Sequence, residues 1–429
     1  MERLQRCLPP NIRRILDELP ESLDETYEGI LREIIRRPNQ EHARQLLRCL
    51  AAAVRPLRVE ELAEILAFNF NAGRIPKLNP GWRWEDAEEA VMSACPSLVI
   101  IVKDGDSRIV QFSHFSVKEF LTSSRLAGPI RDISRYHIQH HAAHATLARA
   151  CLGSLLLFDD RVDRDNIEEF PLNLARYAAQ YWVTHARVAG ASSSIKDHVE
   201  CLFDADKPYF SAWLWIYNED RGGRSMSTVR PMKPEAVPLY YAARLGFQDL
   251  AKHLIAEHPE HVYARGGKET TPMHAAALGG HVDILRLLQE HGADVVGSRN
   301  KHGETPLHGA SWSGKLDAGQ FLLDLGADIN PRNEDDWTPL FHAIFHGHTE
   351  FARMLLERGA TVEARSVFGS TPLHAAVRGG KIQAVRLLLE RGADIHARDS
   401  RGWTPYQWKS TLEKEMVELL AAYGAEFGK

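Results

Sequence analysis

Three things are scarce in this chain of 429 residues, and each absence closes off a class of protein. Cysteine is the first. The five present, Cys7, Cys49, Cys95, Cys151 and Cys201, are odd in number, widely spaced and never in a CxxC pair. That argues against a disulfide framework and for a reducing compartment. Net positive charge is the second. At −5 overall, the chain carries no global basic field to draw it to nucleic acid or anionic lipid. Long apolar runs are the third. Arg3, Arg6, Arg13 and Arg14 interrupt the opening, so no signal peptide is expected there. No charge-free stretch approaches the roughly 20 residues a membrane helix needs. What remains is ordinary globular composition, 44% apolar and 25% charged. The expectation is a soluble, cytoplasmic protein.

The C-terminal half repeats itself. TPMHAAALGG begins at Thr271, TPLHGASWSG at Thr305, TPLFHAIFHG at Thr338 and TPLHAAVRGG at Thr371. A worn copy, TPYQWKS, begins at Thr404, and VPLYYAARLG begins at Val237. The intervals are 34, 34, 33, 33 and 33 residues, and an apolar helix such as VDILRLLQE follows each early half. Proline at the first helical position loses no helix hydrogen bond, and the threonine before it can cap the helix. Gly280, Gly314, Gly347 and Gly380 stand where the first helix must end and turn. The pattern is similar to the ankyrin repeat, with six copies over 236–429. One repeat cannot bury its apolar face alone, so the copies are expected to stack into a solenoid.

His274, His308 and His374 of the repeated motif read as structural, since no second ligand accompanies them at metal spacing. Phe341 replaces this histidine in the fourth repeat, with His342 following, and Gln407 replaces it in the sixth. The resemblance implies a protein partner on the concave face and on the finger-like turns. The concave column, seven residues after each threonine, reads Leu278, Trp312, Phe345 and Arg378. The column just before each threonine, read as the fingertips, holds Thr270, Glu304, Trp337, Ser370 and Trp403. Large apolar side chains and arginine on a wetted surface suit a docking face. Leu278, Trp312, Phe345, Arg378, Trp337 and Trp403 are therefore the candidate partner-binding residues.

In the N-terminal half, residues 8–35 read as two short helices. EHARQLLRCLAAAVRPL, VEELAEILAF and GWRWEDAEEAVMSACP read as further helices. SLVIIV, a DGD turn and SRIVQF then form a hairpin. Helices closed by a hairpin suggest a winged helix over 42–125. DNA binding is disfavoured, because Glu85, Asp86, Glu88 and Glu89 precede the wing and the wing offers only Lys103 and Arg108.

LPESLDETYEGILREI, RPLRVEELAEIL, CPSLVIIV, VQFSHFSVKEFL and PLNLARYAAQYWVTHA, in this order, resemble the C-terminal part of a fungal NACHT module. The family implied is that of the fungal STAND signalling ATPases, NLR-like in architecture and linked to heterokaryon incompatibility. The resemblance implies that His114, with Ser116, Glu119 and Phe120 at the matching steps, touches the phosphates of bound ADP. Ser113 could cap the helix beside it, and helix N-termini favour anions. The alternative is a histidine that only bridges strand and helix. No G-x-x-x-x-G-K-[ST] occurs in these residues, so ATP or ADP is expected only if a NACHT core accompanies them. The chain opens where such a core would end.

RYHIQHHAAHATLARAC sets His137, His141, His144 and Cys151 along one helical stripe, with His140 beside them. Helix packing explains the stripe; zinc chelation is the alternative. Tyr177, Tyr181 and Trp182 read as core, and Trp213 and Trp215 as packing this segment near the repeats. No G-x-S-x-G, Cys–His nucleophile context or phosphate loop is present, so neither catalysis nor a metal is expected. The expected fold is mostly α: a helical tail over 1–41, the winged helix over 42–125, helices over 126–217, a linker over 218–235 and the solenoid over 236–429.

Overall fold

The computed structural model describes residues 23–70, 76–82, 84–127, 132–158, 173–190, 193–204, 206–219, 234, 236–408 and 413–425. The helix expected before Pro20, and the expected linker apart from Asn218, Glu219 and Pro234, lie outside the described residues. The chain divides into two compact units, Met1–Met232 and Lys233–Lys429.

The first unit begins with α1 (Leu23–Ile35), which buries Tyr27, Leu31 and Ile34 on one stripe. There follow α2 (Gln40–Ala52), β1 (Leu57–Arg58), α3 (Val59–Leu66), the short pair β2 (Phe68–Asn69) and β3 (Lys77–Leu78), and α4 (Ala87–Ala94). The hairpin β4 (Val99–Asp104) and β5 (Ser107–Phe112) comes next. Its strands pair from Val99↔Phe112 to Asp104↔Ser107. Gly105 at the tip takes φ +58, a left-handed turn that suits glycine. β5 also pairs with β1, giving the antiparallel order β1-β5-β4. Helix, strand, two helices and a three-stranded sheet with a protruding hairpin make a winged-helix domain.

Behind it lie α5 (Phe115–Thr122), α6 (His140–Leu155), α7 (Ala175–Ala189), α8 (Ser193–Phe203) and α9 (Tyr209–Glu219). α6 packs on both α2 and α7. Trp182 is fully buried and meets Trp213 edge-on at 5.5 Å, while Trp213 Nε1 donates to the Ala179 carbonyl. Trp213 and Trp215 thus fill this unit's own core. Buried Glu64 of α3 accepts from Ser154 Oγ of α6 and from the Leu174 amide, which ties the winged helix to the helices after it. A carboxylate is tolerated there because its neighbours donate to it.

The second unit is an ankyrin solenoid. Its helix pairs are α10 (Pro238–Leu245) with α11 (Gln248–Glu257), α12 (Pro272–Gly279) with α13 (Val282–Glu290), and α14 (Pro306–Ser313) with α15 (Leu316–Asp324). They continue as α16 (Pro339–His346) with α17 (Thr349–Glu357) and α18 (Pro372–Arg378) with α19 (Ile382–Glu390). In the last repeat a 3₁₀ turn, Pro405–Trp408, stands for the first helix and precedes α20 (Lys414–Ala422). Each first helix packs on the next repeat's first helix, so the apolar stripes close into one core.

The repeated Thr-Pro-x-His motif has one hydrogen-bond scheme. His274 Nδ1 accepts from Thr271 Oγ1 at 2.8 Å, and His274 Nε2 donates to the Glu304 carbonyl of the next repeat at 3.0 Å. His308 reaches Trp337 and His374 reaches Trp403 in the same way, each at 3.0 Å. Burial lowers the pKa of His274 and His308 to about 4 and lowers that of His374, so these rings stay neutral. In the sixth repeat Gln407 Oε1 accepts from Thr404 N and Oγ1, taking over the role of Nδ1.

Candidate functional site

The turns between repeats set the geometry of the candidate surface. Each closes on a backbone bond four residues long: Asn300 N to Glu304 O, Asn333 N to Trp337 O, Ser366 N to Ser370 O and Asp399 N to Trp403 O. The side chain at the first position of each turn folds back onto the loop amides, as Asn333 Oδ1 does to Asp335 N and Trp337 N. Successive turns bond to one another, Glu334 N to His302 O, Val367 N to Asp335 O and Ser400 N to Phe368 O. A column of arginines backs this ladder. Arg265, Arg299, Arg332 and Arg365 each donate to the carbonyl of the next arginine in the series, which ends at Arg398.

This geometry relocates the fingertip column. Glu304, Trp337 and Trp403 sit at the roots of the turns, where their carbonyls receive the preceding repeat's histidine. The tips lie two to three residues earlier. There Val367 is 49% and Phe368 64% exposed, two apolar tip residues that the threonine-based spacing passed over. Trp403 is exposed, with Arg401 over its ring at 5.8 Å, and Trp337 is half-buried.

On the concave column, Trp312 and Phe345 are 50% and 41% exposed. Leu278 is half-buried, and Arg378 is exposed with its guanidinium over Trp408. The structure brings Trp337 and Phe345 together at 5.3 Å, and His346 lies between Phe345 (5.2 Å) and Trp312 (4.1 Å). Leu278 and Arg378 stand one repeat to either side of this group. His342 sits beneath it, 2% exposed, a position that sequence pattern marked only as the residue after a substituted histidine.

His114 is the N-cap of α5, in extended backbone at φ −151 and ψ 150. Its Nδ1 accepts from the Ser116 amide at 3.3 Å and lies 2.6 Å from Ser116 Oγ, which in turn bonds Tyr27 of α1. The expected cap, Ser113, instead donates to the Ser97 carbonyl across the hairpin base. The imidazole reaches the first free amides because the preceding strand delivers His114 in extended form. His114 is exposed, its ring against Phe115, which is 69% exposed. Phe120 is buried against Tyr27, and Glu119 is exposed.

The wing's basic residues are few: Lys103 is exposed and Arg108 is engaged. Arg108 is bonded to Glu88 of α4 at 2.6 Å and to Glu60 of α3 at 3.3 Å. Asp86 caps α4 by accepting from the Glu88 and Glu89 amides.

The histidine stripe of α6 resolves differently from its helical spacing. His137 precedes the helix, whose N-cap is Gln139. His144 Nδ1 lies 2.9 Å from His185 Nδ1, and His185 Nε2 lies 2.9 Å from Tyr177 Oη, which accepts from Val54 N. One arrangement satisfies every member: the tyrosine donates to His185, and His185 donates to His144. Burial lowers the pKa of His185 to about 3, so the chain is neutral. Cys151 is buried and its thiol pKa is pushed well up, which suits an inert core residue. Cys49, Cys95, Cys151 and Cys201 are free thiols. Among the described residues, His258, Glu260 and His261 have metal-ligand spacing, on a surface 3₁₀ turn. No described helix is long and apolar enough to cross a membrane.

Comparison with known proteins agrees with this layout. Residues 239–333, 335–367 and 355–407 match family models described as ankyrin repeats. Residues 33–130 match a model described as "GPI inositol-deacylase, winged helix domain". The "Azaphilone pigments biosynthesis cluster protein L" of Monascus ruber is 32% identical over 252 residues, 56% of this chain. The match spans about half of that relative's length, 52%. Among solved structures, the human ASB11 ankyrin repeat domain is 31% identical, covering 45% of this chain and 86% of that one, with a TM-score of 0.41. The C-terminal unit is thus an ankyrin array, an architecture suited to protein–protein interaction, and the N-terminal unit includes a winged helix of the kind named above.

Proposed function

We propose that the protein is a non-catalytic docking module whose ankyrin array holds a cytosolic protein partner on its concave face and fingers. The observation that carries this reading is the set of half-exposed aromatics, Trp312, Phe345 and Trp403, continued by Phe368 at a finger tip. Large rings left in water on a rigid scaffold are costly unless a partner covers them. The paired Arg108 of the wing and the acidic start of α4 support a protein partner over nucleic acid. Trp312→Ala with Phe345→Ala is expected to weaken partner capture from a cytosolic extract while the melting curve stays native. Full capture by the folded double variant would sink the proposal.

His114 favours a second reading. It is an exposed imidazole at a helix N-terminus, placed where an anion gains from the first-turn amides. On this reading the chain is the sensor half of a fungal NLR-like NACHT ATPase, with the P-loop on another segment. Joined to such a core, the protein would bind ADP, and His114→Ala would lower that affinity. Equal affinity in the variant would leave His114 as a cap alone.

A further inference from the structure

Repeats three and four depart from the array's own pattern at neighbouring positions. Phe341 stands where His274, His308 and His374 stand, and His342 stands where Ala275, Gly309 and Ala375 stand. Trp312 and Phe345 take the concave column, and Glu304 and Trp337 the finger roots. Three of these groups converge on one imidazole. The His342 ring lies 5.7 Å from Trp312 and 5.2 Å, edge-on, from Trp337, and its Nε2 lies 3.7 Å from Glu304 Oε1. Both ring nitrogens of His342 are buried without a hydrogen-bond partner, a state native proteins rarely leave without a use. The other Glu304 oxygen accepts from Asn300 Nδ2 at 2.9 Å, so the carboxylate is aligned from one side and 27% exposed.

Charges of both signs surround it. The adjoining finger carries Glu334, Asp335 and Asp336, of which Asp336 meets Arg332 at 3.5 Å and Glu334 meets His302 at 3.8 Å. Lys301 on the neighbouring tip, Arg299 and Arg332 of the arginine column, and Lys381 near His346 are cations of the same region. Burial keeps His342 itself neutral, its pKa pushed down to about 3, so it adds no charge against a guest. The array already seats guanidinium groups on its own rings, Arg401 on Trp403 and Arg286 on Phe321.

We propose that the corner formed by Trp312, Trp337 and Glu304 is a subsite for one cationic side chain, arginine or lysine, of the docked partner. The stem lies along Phe345 and Trp337. The head rests over an indole face, where a cation is attracted by the ring quadrupole. Its charge is answered by Glu304. His342 packs beneath this corner as a neutral ring, and the contact that orients the Glu304 carboxylate is the one from Asn300. The subsite rests on the docking reading above and names the chemistry of the partner segment, a basic one.

The test uses the full chain and short capped Gly-Ser peptides carrying a single central Arg, Lys or Gln. The readout is the indole N–H NMR signals of Trp312 and Trp337. The Arg and Lys peptides are expected to shift both signals saturably, and the Gln peptide to leave them in place. Glu304→Gln, which keeps the shape and the contact with Asn300, is expected to weaken the Arg peptide on the order of tenfold with an unchanged melting curve. No saturable shift with either cationic peptide, equal shifts with the Gln peptide, or full binding by Glu304→Gln would overturn the subsite. Partner capture separates the two proposals. If Trp312→Ala with Phe345→Ala lowers capture and Glu304→Gln does not, docking stands and the cation subsite falls. If neither lowers it, both fall.

Discussion

The two units satisfy their buried polar groups in opposite ways. In the ankyrin array one bond scheme recurs: threonine to histidine, histidine to the next repeat's carbonyl, arginine to the next arginine's carbonyl. Among the described residues of the N-terminal unit, the buried side-chain links follow no period. Glu64 reaches Ser154 and Leu174, and Tyr177 reaches Val54 and His185. The difference teaches that a repeat spreads its stability over equivalent junctions, whereas the N-terminal unit concentrates it at a few irreplaceable atoms.

The largest effect that sharpens this contrast is acid. Buried His274 and His308 have folded pKa values near 4, below the ordinary 6.5. As pH falls from 6.5, the unfolded chain takes up protons first, so stability is full above that point and is lost down to about pH 4. At pH 5 each ring is expected to cost on the order of 2 kcal/mol. Denaturant titrations at neutral pH and pH 5 check this. Exchanging both histidines for glutamine, after the example of Gln407, should reduce the loss, with His185, His342 and His374, also lowered by burial, accounting for the rest. An undiminished slope in the double variant would assign the loss to other groups.

Next, His308→Ala breaks a cap and a junction bond together and is expected to lower array stability by about 2 kcal/mol. Gln407→His in the last repeat should change little. In the N-terminal unit Tyr177→Phe removes one oxygen and strands both the Val54 amide and His185, an expected loss of about 1–2 kcal/mol. Denaturant melts of the two variants check both values, and a negligible cost for Tyr177→Phe would weaken the contrast drawn between the units. The smallest effect is expected for Arg332→Ala, below about 1 kcal/mol. Because its bond to Arg365 ends on a carbonyl, that part of the loss should be nearly independent of salt, which melting at low and high ionic strength would show.

How much of this was legible in the sequence follows from the same contrast. The six repeats, the threonine caps and the hairpin around Asp104-Gly105-Asp106 all have local signatures, either a period or a turn. The arginine column was equally periodic, from Arg265 to Arg398, but it falls outside the Thr-Pro register and so escaped notice. Glu304, Trp337 and Trp403 were placed at the tips when they are the roots, because spacing from a threonine does not reveal where the turn's backbone bond closes. His114 was read beside its cap when it is the cap, since a histidine is rarely assigned that role. The tautomer chain through His144 and the missing partners of His342 depend on contacts between separate elements, which no spacing within one helix encodes.

The ladder joining the fingers has a consequence for the history of such a chain. Its links run from backbone to backbone, so every junction accepts every other, and a whole repeat can be inserted or excised with the same bonds re-formed on either side. Length is therefore the freely variable trait of this half of the protein. The junction of repeats three and four is the exception, because Trp312, His342 and Phe345 have no counterpart at their positions in the other repeats: moved elsewhere, they would meet strangers.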